Sequence, residues 1–242
     1  MRIVYYIMFF ISPPFGNYLN LKNTISIKGS YTLEPRDGLL PQIIKTLRYS
    51  FKYGGWINKI GLRNPGIDYA IKNYKKGSHI VSIAILDKTE IPKILKKIPE
   101  DMDIELNISC PNIDKSMCTD GLNQFLNSKR DWCIIKLSPI INYNLIDNYY
   151  NQGFRQFHCS NTIPINEGGL SGKRIIKYNY NLINYINKKY DDTVIIAGGG
   201  INEIEILNIY KKLGANHFSA STVFFCPYRA MKLYKDYIKK YT

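Results

Sequence analysis

Apolar runs of strand length alternate with helix-periodic segments along nearly the whole chain. This alternation is typical of a parallel sheet whose strands are joined by crossover helices. The predicted strands are residues 3–10, 24–28, 79–86, 103–109, 133–138, 154–160, 193–197 and 216–220. The predicted helices, which have apolar residues at helical spacing, are residues 66–75, 90–98, 121–127, 144–151, 178–190, 204–213 and 227–241. The crossing between residues 38 and 61 has no regular period and is predicted to be irregular.

Eight strands with following helices in 242 residues predict a lean (β/α)8 barrel, a single domain over residues 1–242. A doubly wound open sheet is the alternative arrangement of the same pattern. In a barrel, the residues that carry chemistry collect where the strands end. The residues that follow each predicted strand are therefore the first place to look for a site.

The composition is that of a globular protein, with 45% hydrophobic and 13% aromatic residues, which excludes global disorder. The net charge of +14 would permit anionic partners, but the lysines are spread along amphipathic stretches, which favours a solvated helix face. The apolar opening "MRIVYYIMFFI" is too short for a membrane span and is predicted to be a buried strand. No later apolar run reaches the length of a membrane span.

The five cysteines, Cys110, Cys118, Cys133, Cys159 and Cys226, include no CxxC pair. A zinc ribbon or an iron–sulfur cluster is therefore not expected, and a reducing, cytoplasmic setting is. His79, His158 and His217 each lie in or beside an apolar run, which favours buried core histidines over metal ligands.

Polar and small residues follow several predicted strands. "KGS" follows the second strand, "CPN" the fourth, "SNT" ends the sixth, "GGG" the seventh and "ST" the eighth, and Lys136 lies within the fifth. Each is ordinary alone, because turn residues are common at strand ends. Together they place a cation, amides and a thiol on one rim, with backbone N–H groups at residues 199, 200, 221 and 222 that could hold a phosphate. The pattern indicates a phosphorylated cofactor.

The segment "ELNISCPN", residues 105–112, resembles the active-site strand of the soluble, class 1 dihydroorotate dehydrogenases, which are FMN enzymes of pyrimidine biosynthesis. Further matches follow in the family's order: "FGNY" at 15–18, "IKGSYTLEPRDG" at 27–38, "INKIGLRNPGIDY" at 57–69, "IKLSP" at 135–139, "SNT" at 160–162, "GGLSG" at 168–172 and "IIAGGGI" at 195–201. The resemblance spans almost the whole chain. It implies a TIM barrel that binds FMN and oxidises dihydroorotate to orotate.

The resemblance also implies roles for particular residues. Cys110 is the expected base that removes a proton from C5 of dihydroorotate, while C6 delivers hydride to N5 of the flavin. The expected catalytic lysines are Lys28 and Lys136. The expected substrate contacts are Asn58, Gly61, Leu62, Asn107, Asn112, Asn161 and Thr162. The expected flavin contacts are Ser12, Lys28, Lys136, Gly172, Gly199, Gly200, Ser221 and Thr222.

The chemistry of these residue types agrees with the assignment. Asn side chains offer both a donor and an acceptor, which suits the imide groups of flat, anionic orotate. Nearby cations lower the pKa of a thiol from about 8.5 toward the range of a useful base. Lys136 could stabilise negative charge at N1 of a reduced flavin.

The sequence departs from the family pattern at several points. Ile11 and Pro13 stand where the family has small residues against the flavin, and the family's N-terminal hairpin is expected to be missing. The loop between Thr162 and Gly168 and the segment after Asn112 are shorter than usual, and Ser221 replaces a glycine. A degenerate barrel that keeps flavin or partner binding without catalysis is thus a second hypothesis.

A third hypothesis is an enzyme resembling the tRNA-dihydrouridine synthases, which the positive charge favours. It would need a basic C-terminal domain, and the sequence ends directly after the last predicted helix. The expected partners are a small pyrimidine substrate, with a homodimer or an electron-transfer subunit compatible with the resemblance. Nucleic acid, membrane and metal partners are not expected.

Overall fold

The computed structural model describes residues 7–108 and 120–242. Its strands are β1 (Phe9–Ile11), β2 (Thr24–Tyr31), β3 (Arg48–Ser50), β4 (Gly55–Asn58), β5 (His79–Ile83), β6 (Ile104–Asn107), β7 (Cys133–Leu137), β8 (Gln156–Cys159), β9 (Ile163–Ile165), β10 (Gly168–Gly172), β11 (Val194–Gly198) and β12 (His217–Ala220). Its helices are α1 (Leu39–Thr46), α2 (Ile67–Lys72), α3 (Glu90–Lys97), α4 (Tyr143–Asn151), α5 (Ile175–Lys189), α6 (Ile204–Lys212) and α7 (Pro227–Tyr241). Short 3-10 turns cover Phe15–Asn17, Leu122–Phe125 and Thr222–Phe225.

Eight of these strands close into a barrel in the order β1-β12-β11-β8-β7-β6-β5-β2. Neighbouring strands in the barrel are parallel, so the (β/α)8 prediction is confirmed and the open sheet is wrong. The closure leaves no exposed sheet edge, which is why a short chain can hold eight strands together.

Side chains alternate between the inside of the barrel and the layer between barrel and helices. Phe10, Ile27, Ile80, Ile134 and Ile196 come from five strands and form one buried cluster, which fills the barrel interior. The neighbouring residues on the same strands belong to a larger cluster that includes the apolar faces of the helices. Strands buried on both faces read as continuous apolar runs rather than alternating ones.

The helices were predicted with nearly correct bounds, apart from one. The segment 121–127 forms only the 3-10 turn Leu122–Phe125, because Gly121, with φ of 74°, and Leu126, with extended φ and ψ, bound it closely on both sides. The predicted bounds of α7 agree with the structure, and Pro227 begins this helix, where its missing N–H costs nothing.

The prediction that residues 38–61 form an irregular crossing is wrong. This stretch holds α1, β3 and β4. β4 pairs antiparallel with β10, which lies far along the sequence. A four-stranded antiparallel sheet results, in the order β3-β4-β10-β9. Its strands are three to five residues long, too short to show a clear period of two in the sequence.

Among the described residues, no helix is both long and apolar enough to cross a bilayer. The same residues contain no cluster of His, Cys, Asp and Glu that could hold a metal ion.

The packing of the barrel interior predicts a large difference between two Ile→Ala substitutions. Ile134 is fully buried in the inner cluster, whereas Ile140 is 53% exposed. Ile134→Ala should lower the free energy of unfolding by about 2–5 kcal/mol, because it removes buried methylenes and leaves a cavity. Ile140→Ala, the control, should change it by less than about 0.5 kcal/mol. Urea titration measures both, and equal losses would contradict the assignment of the interior.

Candidate active site at the mouth of the barrel

A cavity of about 520 Å³ opens at the carboxyl ends of the barrel strands. It is lined by residues that end or follow these strands, such as Ser12, Asn107 and Ser160, and by Trp56 and Ser171 from the antiparallel sheet. The sheet that the sequence did not predict therefore forms one wall of the site.

The structure brings together the described residues that the sequence assigned to the site. Those that line the cavity are Ser12, Lys28, Asn58, Gly61, Leu62, Asn107, Lys136, Asn161, Thr162, Gly172, Gly199, Gly200, Ser221 and Thr222. Cys110 and Asn112 lie outside the described residues. Their roles stay predictions.

The first strand does not obstruct the cavity as its bulky residues suggested. Ile11 is fully buried in the cluster between barrel and helices, while Ser12, the next residue, faces the cavity. The Ser12 hydroxyl lies 2.6 Å from that of Ser219 and ties β1 to β12. Pro13 and Pro14 do line the cavity, so this wall is apolar and rigid.

The cavity wall is positively charged. Lys28, Arg63 and Lys136 line it, and none of its described lining residues is Asp or Glu. A concave surface with charge of one sign concentrates ligands of the opposite sign. The cavity thus suits an anion, such as a phosphate or a carboxylate.

One end of the cavity is suited to a phosphate group. Gly199 and Gly200 have φ of +75° and +73°, a conformation that glycine adopts readily. Ile175, the first residue of α5, also lines the cavity, and helix N-termini present N–H groups to anions. The Ser221 hydroxyl donates to the carbonyl oxygen of Pro13 at 2.8 Å. The Ser221 hydroxyl is thus engaged within the protein, and the neighbouring Thr222, which also lines the cavity, carries a second hydroxyl.

A second end of the cavity carries amide side chains. Asn161 Nδ2 donates to Asn107 Oδ1 at 3.0 Å, and Asn107 Nδ2 donates to Ser30 Oγ at 2.9 Å. The backbone N–H of Thr162 donates to Asn161 Oδ1 at 2.9 Å. The amides are therefore held by one another as well as by the strands that carry them.

Asn64 fixes the loop that carries Asn58, Gly61 and Leu62, and sequence reasoning missed it. Its Oδ1 accepts from the N–H groups of Thr32 and Gly66 at 3.1 and 2.8 Å. Its Nδ2 donates to Thr32 Oγ1 and to the carbonyl oxygen of Leu62 at 2.9 and 2.7 Å. These bonds hold Leu62 at φ of +57°, which is costly for a residue with a side chain. A buried Asn in a loop signature, "RNPG", is the signal that could have identified it.

Behind the cavity lies a buried carboxylate, Glu105, which sequence reasoning also missed. Its Oε1 lies 3.4 Å from Lys136 Nζ and accepts from Ser82 Oγ at 2.9 Å, and its Oε2 lies 2.6 Å from His158 Nδ1. Burial opposes its ionisation, but the charge of Lys136 and the hydrogen bonds from His158 and Ser82 prevail and lower the pKa of Glu105 to about 2. The carboxylate is therefore ionised at neutral pH. Its only sequence signal was an acidic residue within an otherwise apolar strand.

His158 is held neutral beside this carboxylate. Burial lowers its pKa, and Glu105 acts in the opposite direction without overcoming burial. Because an ionised carboxylate only accepts hydrogen bonds, the proton of neutral His158 lies on Nδ1. The Glu105–Lys136 pair is then the charged unit inside the barrel, and His158 stabilises it as a hydrogen-bond donor.

Lys28 lies on β2 and lines the cavity. It pairs in register with Val81 of the outer cluster, whereas the preceding residue, Ile27, lies in the inner cluster. His79 shares this outer face, and burial, with the positive charge of Lys28 adding to it, lowers its pKa to about 4. Lys28 thus borders the cavity beside His79, and its catalytic role stays a prediction.

The fold and the cavity define a (β/α)8 barrel with a mouth suited to an anionic ligand that carries a phosphate. No protein-family model matches the chain. The catalytic subunit of dihydroorotate dehydrogenase B (NAD(+)) from Cutibacterium acnes is 24% identical over 227 residues, covering 79% of this chain and 72% of the relative. The corresponding subunit from Lachnoclostridium phytofermentans is 24% identical over 253 residues, covering 89% and 81%.

A higher identity is confined to a shorter region. The catalytic subunit of dihydroorotate dehydrogenase B from Streptococcus pneumoniae is 35% identical over 116 residues, 43% of this chain and 34% of the relative. The ligand-free structure of DHODH from Eimeria tenella has a TM-score of 0.64 at 17% identity, covering 88% of this chain and 76% of that one. The complex of the same enzyme with ferulenol has a TM-score of 0.67. The chain is therefore similar in sequence to catalytic subunits of dihydroorotate dehydrogenase B and similar in fold to the Eimeria tenella DHODH structures.

The buried histidines predict a loss of stability in acid. His217 accepts a hydrogen bond from the N–H of Met8 at Nδ1, and burial, with Lys211 adding to it, lowers its pKa to about 4. His79 and His158 also have lowered pKa values. Because the unfolded chain takes up protons first, near pH 6.5, the free energy of unfolding should be level above pH 7. Between pH 6.5 and 4 it should fall, by up to about 1.4 kcal/mol per pH unit for each histidine.

Urea titrations at a series of pH values measure this dependence. Below about pH 4.5 the unfolded chain also takes up a proton at Glu105, whose pKa is lowered in the fold. This uptake should lower the free energy of unfolding further. A free energy of unfolding that stays constant from pH 7 to pH 5 would contradict neutral, buried histidines.

Proposed function

We propose that this protein is an FMN-dependent oxidoreductase that oxidises dihydroorotate to orotate. The observation that carries the proposal is the shared cavity: every described residue that the resemblance assigned to flavin or substrate lines it. The names of the sequence relatives, which are catalytic subunits of dihydroorotate dehydrogenase B, support the same reaction.

The cavity meets the chemical requirements of both ligands. FMN needs a phosphate site, which Gly199, Gly200 and Thr222 supply at one end. It also needs an apolar wall for its ring system. Trp56 and Phe225 stack with ring centroids 4.0 Å apart and line the cavity together. The remaining space beside the amides then accommodates a flat anion such as orotate.

The residues divide the reaction between them. The thiolate of Cys110 takes the proton from C5, the C5–C6 double bond forms, and hydride leaves from C6. FMN, when bound, accepts that hydride. Asn107 and Asn161 orient the pyrimidine ring, since amides match its N–H and carbonyl groups. The ammonium group of Lys136 offsets the negative charge that the hydride brings to the cofactor.

A comparison of Cys110→Ser with Cys226→Ser tests the proposed base. Cys226 is exposed and immediately precedes α7, so its variant is the matched control. In anaerobic single-turnover assays of the FMN-loaded protein, Cys110→Ser should reduce the rate of flavin bleaching by dihydroorotate about 100-fold or more at pH 7. The rate of Cys226→Ser should equal that of wild type.

Three results would separate the hypotheses. Loss of rate with normal FMN binding in Cys110→Ser supports the proposed base. Wild-type protein that binds FMN but is not reduced by dihydroorotate would indicate the degenerate, non-catalytic barrel. Wild-type protein that binds neither FMN nor orotate, measured by flavin fluorescence and difference absorbance, would overturn the proposed function.

A further inference from the structure

A continuous chain of hydrogen bonds joins the cavity amides to the buried carboxylate. It runs from Asn161 to Asn107 at 3.0 Å, from Asn107 to Ser30 at 2.9 Å, between the hydroxyls of Ser30 and Ser82 at 2.9 Å, and from Ser82 to Glu105 at 2.9 Å. These five side chains come from β8, β6, β2, β5 and β6 or the residues that follow them. The chain therefore crosses the barrel rather than following one strand.

The ionised carboxylate fixes the direction of every bond in this chain. Glu105 can only accept, so the Ser82 hydroxyl must donate to it and its oxygen must accept from Ser30. The Ser30 hydroxyl donates its proton to Ser82, so its oxygen accepts from the Nδ2 group of Asn107. Asn107 Oδ1 then faces the Nδ2 group of Asn161. Hydrogen bonds aligned in one direction polarise and strengthen one another.

The same carboxylate holds the cation of the site. Lys136 Nζ lies 3.4 Å from Glu105 Oε1, and the two side chains are only 10% and 0% exposed. Glu105 itself does not line the cavity, whereas Lys136, Asn107 and Asn161 do. Any effect of Glu105 on a ligand must therefore pass through these residues.

We propose that Glu105 is a positioning residue that sets the site through two arms. In the first, the ion pair fixes the ammonium group of Lys136 beside the cofactor. In the second, the chain through Ser82 and Ser30 fixes the Asn107 amide with its Nδ2 toward Ser30 and its Oδ1 toward Asn161. This in turn fixes the Asn161 amide, whose Oδ1 accepts from the N–H of Thr162. The site then presents both amides to a substrate in one fixed arrangement of donors and acceptors.

This inference rests on the proposed function for the identity of its ligands, FMN and orotate. Glu105→Gln removes the negative charge and introduces an amide that can donate as well as accept, so both arms are affected. Ser82→Ala breaks the chain to the amides but leaves the ion pair. Glu105→Asp keeps a carboxylate. Glu100→Gln, at an exposed carboxylate paired with Lys129, is the matched control.

Two measurements on the FMN-loaded variants distinguish the arms: the dissociation constant of orotate and the midpoint potential of the flavin. In Glu105→Gln, the dissociation constant should rise about tenfold or more and the potential should become more positive, because a negative charge beside Lys136 is lost. In Ser82→Ala, only the dissociation constant should rise. Glu105→Asp should recover the wild-type potential, and Glu100→Gln should match wild type in both measurements.

The outcomes are separable from those of the proposed function. If wild type binds FMN and orotate and Glu105→Gln equals it in both measurements, this inference fails and the proposed function stands. An unchanged orotate constant in Ser82→Ala overturns the hydrogen-bond arm, and this variant also serves if Glu105→Gln does not fold. If wild type binds neither ligand, the proposed function fails, and the inference fails with it.

Discussion

An ionised carboxylate inside an eight-stranded barrel is the constraint on which the site depends. Removing a carboxylate from water costs several kcal/mol unless hydrogen bonds and an opposite charge compensate it. Glu105 receives both, from Lys136, His158 and Ser82. Each of these partners comes from a different strand, so the pairing depends on the observed register of the four neighbouring strands β5, β6, β7 and β8. The electrostatics of the site thus depend on the topology of the fold.

The barrel alone would leave one side of the cavity without a wall, and the antiparallel sheet supplies that wall. The β4–β10 pair places Trp56, Asn58 and Gly172 along the cavity wall, while Asn64 holds the loop that follows β4. The barrel interior below the cavity is filled with isoleucine and phenylalanine. The carboxyl ends of the strands, which border the cavity, carry charged and polar side chains. This division is expected where one end supplies stability and the other supplies chemistry.

The sequence predicted the barrel well because each parallel strand is a short apolar run followed by an amphipathic segment. It also predicted which residues meet at the mouth, because strand ends in a closed barrel converge whatever the loop details. It failed for β3 and β4, whose three or four residues are stabilised by pairing with a distant hairpin rather than by their own pattern. It failed for Glu105 because a polar residue in an apolar strand shows that a partner is needed, but not which one. His158 is buried, as predicted, although its pairing with Glu105 was not foreseen.

The most direct test of the account is a crystal structure of the protein grown with FMN and orotate. We expect the flavin ring in the cavity beside Lys136, its phosphate at Gly199, Gly200 and Thr222, and orotate against Asn107 and Asn161. Ligand density at another location would contradict this expectation. A cavity that is filled by the protein's own side chains and holds no ligand density would also contradict it.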